Sequence, residues 1–398
     1  MQKQRSAPSI GFLALALCCV AGAHAQTAGT PPTGPTADTS VIDADGTAHI
    51  TRVAPLPATL STESRARWSK QVSDAARPQT LAERRAGTDT WQTRAGKQSA
   101  AIYPVRITEG QMVGGVPVRI IDPLPDTTPG PASGPGSSSR DPWHYSTLQG
   151  PAAAPVPANS TPDRPDRVLI CLHGGGFNSD SGSYTESVPI ANLTRTRVVS
   201  VLYRLAPEHP YPAALEDAIA VYQALLKSYK PAHIAIYGTS AGALLTGEVA
   251  VRLKQLHLPQ PGALGIFSGM GDLTAVGDSA SLFTLEGYSG HLDAPAANPD
   301  RRTISPEYTT THDPHDPVLS PNYSDLHGVA PTLFVTSSRD VLLSGTADMQ
   351  RAWDRDSVPN KLVVFDGLPH AFWNDVSLSE SREAYATMAR FFLEQLAP

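Results

Sequence analysis

The sequence predicts an α/β protein in which helices flank a mostly parallel central sheet. From residue 167 onward, short apolar runs alternate with longer amphipathic stretches. Strands that are apolar on both faces are typical of parallel sheets covered by helices on each side. Ligands of such sheets bind beyond the carboxyl ends of the strands, so the residues after each run are candidates for chemistry. The runs are Val168–Leu172, Val198–Tyr203, Ile234–Tyr237, Ala263–Phe267, Thr332–Thr336 and Leu362–Phe365.

The bulk composition indicates a globular protein and argues against a nucleic-acid partner. Hydrophobic residues make up 40% of the 398 positions, which is enough to build a buried core. The formal net charge is -6, and no dense run of Lys and Arg occurs. Because phosphate binding depends on clustered basic residues, we expect no nucleic-acid partner.

The first 25 residues have the pattern of a secretory signal peptide. Lys3 and Arg5 precede the apolar run Ile10–Gly22, which is too short to span a bilayer comfortably. Ala23 and Ala25 supply the small side chains that signal peptidase requires, so we expect cleavage after Ala25. An ordinary buried helix is the alternative. The pattern predicts export to the periplasm or the medium, without a stable membrane anchor.

Composition divides the rest of the N-terminal part into segments. Residues 26–60 are rich in Thr, Pro, Ala and Gly without sustained periodicity, which predicts a low-complexity arm. Residues 61–100 contain charged, helix-permissive stretches that predict one or two helices. The apolar runs Ile102–Ile107 and Val116–Ile121 flank two glycines and predict a β-hairpin. Residues 123–165 return to Pro, Gly and Ser, as a long insertion without an assigned role.

A serine motif follows the strand Ile234–Tyr237. The strand runs directly into Gly-Thr-Ser-Ala-Gly at residues 238–242, and a helical stretch comes next. This is the G-x-S-x-G pattern in its strand-turn-helix context. So abrupt a turn strains the serine backbone, while the glycines avoid clashes, and the hydroxyl of Ser240 should project above the sheet. A glycine-rich turn without chemistry is the alternative interpretation.

A glycine-rich loop follows the strand Val168–Leu172. Residues 173–177 read His-Gly-Gly-Gly-Phe, and the three glycines leave their amide groups uncovered. Together with the amide of Ala241, these groups can bind a developing negative oxygen, as an oxyanion hole does. A phosphate-binding loop would need a Lys and a Ser or Thr at fixed spacing, which are absent here. A purely structural turn remains the alternative.

The candidate base and acid follow the last two predicted strands. A serine hydroxyl needs a base within hydrogen-bond reach, and His370 stands after the final strand, where the chain order Ser, Asp, His expects it. Asp340 follows the strand Thr332–Thr336 and would orient the imidazole. Asp348 and Asp354 compete less well, because they fall within a predicted helix.

Taken together, these motifs resemble the hormone-sensitive-lipase-like esterases, the bacterial family IV lipolytic enzymes of the α/β-hydrolase superfamily. The resemblance extends from about Ile102 to the C-terminus and is interrupted by the insertion. Its most specific stretches are residues 173–177, 203–213 (Tyr-Arg-Leu-Ala-Pro-Glu-His-Pro-Tyr-Pro-Ala) and 238–242. The segment Gly269–Asp272 departs from the family pattern, which leaves the shape of the pocket open.

The resemblance implies an α/β-hydrolase fold with a helical cap. The catalytic domain would span residues 101–398, and the cap would combine residues 61–100 with a segment at about 273–330. The amides of Gly175, Gly176 and Ala241 would form the oxyanion hole, and His173 would help to hold the glycine loop.

The implied function is that of a serine carboxylesterase acting on short- to medium-chain esters through an acyl-enzyme, with Ser240, Asp340 and His370 as catalytic residues. The expected partner is a small-molecule ester, and no cofactor or metal is expected, since an Asp-Pro turn explains the His and Asp cluster at 312–316. The oligomeric state is open, with a homodimer as one alternative. The alternative functions are a lactone, carbamate or amide hydrolase, or a non-catalytic small-molecule-binding protein, as the related plant gibberellin receptors are.

Overall fold

The computed structural model describes residues 39–70, 80–124, 164–289 and 305–396. The predicted signal peptide, residues 1–25, lies outside this range, and so does nearly all of the predicted insertion. The chain separates into two compact units, residues 1–55 and residues 56–398. No helix in the described ranges is long and apolar enough to cross a membrane.

An eight-stranded sheet forms the centre of the larger unit. Its strands are β3 (Val105–Val113), β4 (Val116–Pro123), β5 (Val168–Leu172), β6 (Arg197–Val201), β7 (Ile234–Thr239), β8 (Ala263–Phe267), β9 (Thr332–Ser337) and β10 (Asn360–Phe365). They are arranged in the order β10-β9-β8-β7-β5-β6-β4-β3. The six strands from β10 to β6 run parallel, while β4 is antiparallel to β6 and β3 is antiparallel to β4. This arrangement confirms the predicted α/β class with a mostly parallel sheet.

Helices cover both faces of this sheet. The strands β5, β7, β8 and β9 are buried at every residue, which explains why their sequences are apolar throughout. The helices are α1 (Thr62–Trp68), α2 (Leu81–Ile102), α3 (Val188–Thr194), α4 (Ala213–Leu225), α5 (Ala241–Gln255), α6 (Ser279–Leu282), α7 (Pro306–Thr309), α8 (Leu343–Arg355) and α9 (Ser379–Gln395). One apolar cluster includes buried residues of α4, α5 and α8, and the other includes residues of α3 and α9.

The helices predicted within residues 61–100 are present as α1 and α2. Ser61 caps α1, and its amide and hydroxyl both donate to Glu380 at the start of α9. Thr80 and Glu83 form a reciprocal capping box at the start of α2. It supplies hydrogen-bond acceptors to two amides that have no partner within the helix.

Part of the predicted low-complexity arm, residues 26–60, lies in the described ranges and contains a short hairpin. Strands β1 (Thr39–Ile42) and β2 (Ala48–Thr51) pair as an antiparallel hairpin. The turn is closed by the amide of Asp43, which donates to the carbonyl of Thr47 at 2.8 Å. The β-branched residues of both strands favour extended backbone, although the strands are too short to show a period in the sequence.

Candidate active site

Ser240 lies on a sharp turn between β7 and α5. Its φ of 58° and ψ of -119° fall in a region that side chains rarely adopt, as expected for the G-x-S-x-G turn. Both flanking glycines are sterically required. A Cβ on Gly238 would lie 2.3 Å from the carbonyl oxygen of Gly242, and a Cβ on Gly242 would lie 1.8 Å from that of Leu172. The backbone therefore presents the half-buried Ser240 at the carboxyl edge of the sheet.

The glycine-rich loop after β5 faces the same edge. Gly175 has a φ of 115°, and an added Cβ would lie 2.1 Å from the carbonyl oxygen of Ser179. That carbonyl belongs to a tight turn in which the amides of Asn178 and Ser179 donate to Gly175. The amides of Gly175 and Gly176 donate no hydrogen bond within the described part of the chain. Within the described residues, Gly175 and Gly176 therefore offer two uncommitted donors at the same edge of the sheet as Ser240.

The amide of Ala241 is a third uncommitted donor. Ala241 is the first residue of α5, and the first amides of a helix have no partner inside the helix. The positive end of the helix dipole adds to the attraction for a negative oxygen there.

His173 anchors the glycine loop from below. The side chain is buried, its Nδ1 lies 2.8 Å from the carbonyl oxygen of Gly174, and its ring stacks on Tyr203 with 4.1 Å between centroids. The Tyr203 hydroxyl donates to the carbonyl of His173 at 2.7 Å. These contacts hold the loop as the sequence resemblance implied for His173.

Asp340 and His370 form a hydrogen-bonded pair. Nδ1 of His370 lies 2.8 Å from Oδ1 of Asp340, which is fully buried. The other carboxylate oxygen accepts from the hydroxyls of Ser268 and Thr336. Burial by itself raises the pKa of Asp340, but the charge of His370 and these hydrogen bonds outweigh it and hold the pKa below its ordinary value.

The parallel sheet brings these residues to one edge. Ser240 follows β7, Asp340 follows β9 and His370 follows β10, and the carboxyl ends of parallel strands share an edge. Among the described residues, no hydrogen bond joins the hydroxyl of Ser240 to the imidazole of His370, whose Nδ1 bonds to Asp340. Catalytic hydrogen bonds are often long before substrate binds, so this geometry is compatible with their pairing.

Glu186 is a buried carboxyl under this edge that the sequence reasoning missed. An added Cβ on Gly182 would lie 2.0 Å from its Oε1, and one on Gly174 would lie 3.3 Å away. The thiol of Cys171 approaches its Oε2 at 4.0 Å. Glu186 belongs to no recognisable motif, so the sequence carried no signal for it.

Burial favours the neutral form of the Glu186 carboxyl. Burial raises its pKa well above the ordinary value, and the negative charge of Asp180 adds to the shift. The amide of Gly174 and the side chains of Asn374 and Thr239 favour the charged form without overcoming burial. Glu186 therefore meets the glycine loop, the serine turn and the segment after His370.

Arg85 ties α2 to the loops around the site. Its guanidinium donates to the carbonyls of Asn178 and Ala206 at 2.6 and 2.8 Å. The same group forms a bidentate ion pair with Glu208, in which both N···O distances are 2.7 Å. A planar guanidinium can satisfy these acceptors at once, so one side chain fixes the helix over the glycine loop.

A cavity of about 700 Å³ opens next to His370. Helices α1 and α2 form one wall, and residues after β5 and around His370 form the others. This volume is within the range of small-molecule sites. The lining residues are Arg67, Trp68, Arg84, Gly87, Thr88, Trp91, Arg94, Ala95, Gln98, Asn178, Ser179, Ser181, Leu285, Glu286, His370, Ala371, Phe372, Asn374 and Asp375.

One group of potential metal ligands occurs in the described ranges, away from the residues above. Asp325, His327 and Asp356 bring their ligand atoms within 4.8 Å of one another. Their carboxylates already have cationic partners, since Lys254 lies 3.3 Å from Asp325 and Arg355 lies 2.8 Å from Asp356. Two of the three residues are also exposed, so the group resembles a surface ion-pair network.

Comparison with known proteins agrees with this geometry. The family model described as "alpha/beta hydrolase fold" matches residues 169–374, more than half of the chain. An esterase from Acinetobacter venetianus is 31% identical over 236 residues, which are 56% of this chain and 74% of that protein. An acetyl-hydrolase from Streptomyces hygroscopicus is 32% identical over 238 residues, 58% of this chain and 77% of that protein.

The solved structures give the same result. The crystal structure of an esterase from the bacterial hormone-sensitive lipase family superimposes with a TM-score of 0.61 at 26% identity, covering 81% of this chain and 94% of that one. The α/β-hydrolase fold expected from the motifs is confirmed. The chain therefore belongs to the α/β-hydrolase fold family, among its hormone-sensitive-lipase-like esterases.

Proposed function

We propose that this protein is a serine carboxylesterase in which Ser240 is the nucleophile, His370 the general base and Asp340 the residue that orients the imidazole. The observation that carries the proposal is the 2.8 Å hydrogen bond between Nδ1 of His370 and the buried Asp340. With Nδ1 committed to the carboxylate, Nε2 is left to take a proton from Ser240. The strained turn at Ser240 supports the nucleophilic role.

The reaction proceeds in two acyl-transfer steps. The Ser240 oxygen attacks the ester carbonyl carbon while its proton passes to Nε2 of His370. The tetrahedral intermediate collapses, the alcohol leaves with the proton from His370, and the acyl group stays on Ser240. Water then attacks the acyl-enzyme and gives a proton to the same imidazole. The acid is released, and the proton returns to Ser240.

The amides of Gly175, Gly176 and Ala241 stabilise the negative oxygen of each tetrahedral intermediate. They carry no other hydrogen bond within the described residues, and Gly175 is held in place by a turn that excludes a side chain. Preorganised donors of this kind need no rearrangement as charge develops. Removing one such donor typically lowers the rate by about a hundred- to a thousand-fold.

The cavity favours short to medium acyl chains. Its volume is about 700 Å³, and its lining mixes Trp68, Trp91, Leu285 and Phe372 with charged and polar side chains. A long lipid chain would prefer a continuous apolar tunnel, which these walls do not form. The relative from Streptomyces hygroscopicus carries the name acetyl-hydrolase, which supports a small acyl group.

The test compares Ser240→Ala with a serine variant elsewhere. Ser240→Ala should abolish hydrolysis of p-nitrophenyl butyrate and labelling by a fluorophosphonate, while the circular dichroism spectrum stays native. Ser281→Ala, an exposed serine in α6, should keep both activities. A substrate panel with one lactone, one carbamate and one amide then separates the alternatives. Turnover that survives in Ser240→Ala would end the proposal.

We further propose that residues 1–25 direct export and are removed. The basic start, the short apolar run and the small residues at 23 and 25 support this. When the full chain is expressed in a Gram-negative host, protein recovered from the periplasm or medium should begin at Gln26 by intact mass. Mature-length protein confined to the cytoplasm, or a retained N-terminus, would contradict it.

A further inference from the structure

The cavity beside His370 carries unpaired positive charge, and from this we propose that the enzyme prefers esters bearing a negatively charged group away from the scissile bond. The simplest members of that class are half-esters of dicarboxylic acids. The inference rests on the proposed esterase function and names its substrate class.

One face of α2 forms the wall in question. Arg84, Gly87, Thr88, Trp91 and Arg94 line the cavity, and each of them stands three or four positions from another member of the set. Residues at such intervals lie on one side of an α-helix. The two arginines stand ten positions apart, about 15 Å along the helix axis, with Gly87, Thr88 and Trp91 between them.

The two arginines of this wall, Arg84 and Arg94, form no ion pair with any acidic residue in the described ranges. The acidic residues of the cavity, Glu286 and Asp375, both face Arg67 instead, at 3.6 and 3.9 Å. The lining holds three arginines and two carboxylates, so it carries one positive charge in excess, in a chain whose formal net charge is -6. A local field opposite in sign to the whole protein attracts anions to the cavity.

Gly87 indicates that the space between the arginines is kept open. Glycine inside a helix costs about 1 kcal/mol relative to alanine. No atom lies within 4 Å of an added Cβ at Gly87, so packing does not require the glycine. The missing side chain instead leaves room on the cavity side of α2, where Thr88 is the next residue.

Aromatic walls complete a site for a chain that ends in an anion. Trp68 and Trp91 lie on α1 and α2, and Arg67 stacks over Trp68 at 4.3 Å from the ring centroid. The methylene chain of a half-ester can pack against these rings. Its carboxylate then meets one of the two guanidiniums, Arg84 or Arg94, while the ester group points to His370, which also lines the cavity.

The test compares two esters of equal length. Monomethyl adipate carries a terminal carboxylate, and methyl hexanoate does not. We expect the wild-type kcat/KM for the anionic ester to exceed that for the neutral ester at low ionic strength. The double variant R84Q/R94Q should lower this ratio about five- to tenfold, and about 0.5 M salt should lower the wild-type ratio in the same direction.

The control variant is Lys97→Gln, which removes one positive charge from the same helix at an exposed position that does not line the cavity. It should leave the ratio within about twofold of wild type, because exposed charges outside the site are screened. A wild-type preference for methyl hexanoate, or a ratio that R84Q/R94Q does not change, would overturn the inference.

A binding measurement separates this inference from the proposed function. In calorimetry, Ser240→Ala should bind monomethyl adipate more tightly than methyl hexanoate. Adding R84Q/R94Q to that variant should remove the difference in affinity. If wild-type protein hydrolysed none of the esters but this difference in binding persisted, only the proposed function would fail. If p-nitrophenyl butyrate were hydrolysed but no difference in binding appeared, only the anion site would fail.

Discussion

Nδ1 of His370 lies 2.8 Å from Oδ1 of Asp340, while the second oxygen of that carboxylate accepts from Ser268 and Thr336. The amide of Leu342 also donates to Oδ1, at 2.9 Å. Each oxygen of the Asp340 carboxylate thus accepts two hydrogen bonds from donors that the fold holds in place. The carboxylate is held both in its charged state and in its orientation, and the imidazole is held with it.

This relationship predicts a large effect of Asp340→Asn. An amide cannot accept from Ser268, Thr336 and His370 together, so either a hydroxyl loses its acceptor or the imidazole meets an N–H and takes the wrong tautomer. We expect kcat for p-nitrophenyl butyrate to fall by about 10³–10⁴, with KM changed little. Asp366→Asn, which alters a nearby exposed carboxylate, should keep kcat within about threefold. Equal losses in the two variants would contradict the assignment.

The glycine loop offers a matched pair of substitutions. Residue 175 has a φ of 115°, and Gly175→Ala would place a Cβ 2.1 Å from the carbonyl oxygen of Ser179. The loop must therefore move, and its amides would no longer point at the oxyanion. We expect kcat to fall by about 10²-fold or more. Gly176→Ala places its nearest neighbour at 3.9 Å and should be clearly milder. Steady-state kinetics and melting temperatures are measured for both variants. An equal or larger loss of kcat in Gly176→Ala would contradict this role of the loop.

The contacts of Arg85 predict that even the conservative substitution Arg85→Lys lowers stability and activity. Arg85→Lys keeps the charge, but a single ammonium cannot reach Asn178, Ala206 and Glu208 together. We expect a loss of about 1–2 kcal/mol in the free energy of unfolding, together with a fall in kcat/KM as α2 loosens over the glycine loop. Arg351→Lys, at an exposed arginine on α8, should change neither quantity measurably. Chemical denaturation and kinetics test both variants.

Glu186 predicts a pH-dependent gain in stability on substitution. Its folded pKa lies well above the ordinary 4.5, so the folded protein keeps a proton that the unfolded chain has released. The contribution of Glu186 to stability is therefore complete below about pH 4.5 and is lost as the pH rises toward its folded pKa. Glu186→Gln cannot ionise, so its melting temperature minus that of wild type should increase from about pH 5 to about pH 8.

A control and an activity measurement sharpen the Glu186 experiment. The exposed Glu394→Gln should show a constant difference in melting temperature over the same pH range. Glu186→Gln retains a polar side chain for the amide of Gly174 and should keep most of kcat. Glu186→Leu removes that partner and should lower kcat more than it raises KM. A pH-independent difference for Glu186→Gln would show that the carboxyl is ionised in the folded protein.

Much of the fold could be predicted because its determinants are local. The apolar strands β5, β7, β8 and β9 are buried on both faces, which restricts every residue along them and leaves a readable pattern. The hairpin β1–β2 was missed because its strands have four residues each and are almost entirely exposed, so no apolar period marks them.

The sequence by itself determined the sheet, the serine turn, the glycine loop and the order of acid and base, because steric limits at Gly238 and Gly242 and strand burial act on neighbouring residues. Only the tertiary structure decided that Arg85 meets Asn178, 93 residues away, that Glu186 lies under the glycine loop, and that an arginine-bearing face of α2 lines the cavity. These contacts join segments far apart in the chain. Chain folding sets such distances through the packing of whole helices on the sheet, and that packing leaves no local pattern to read.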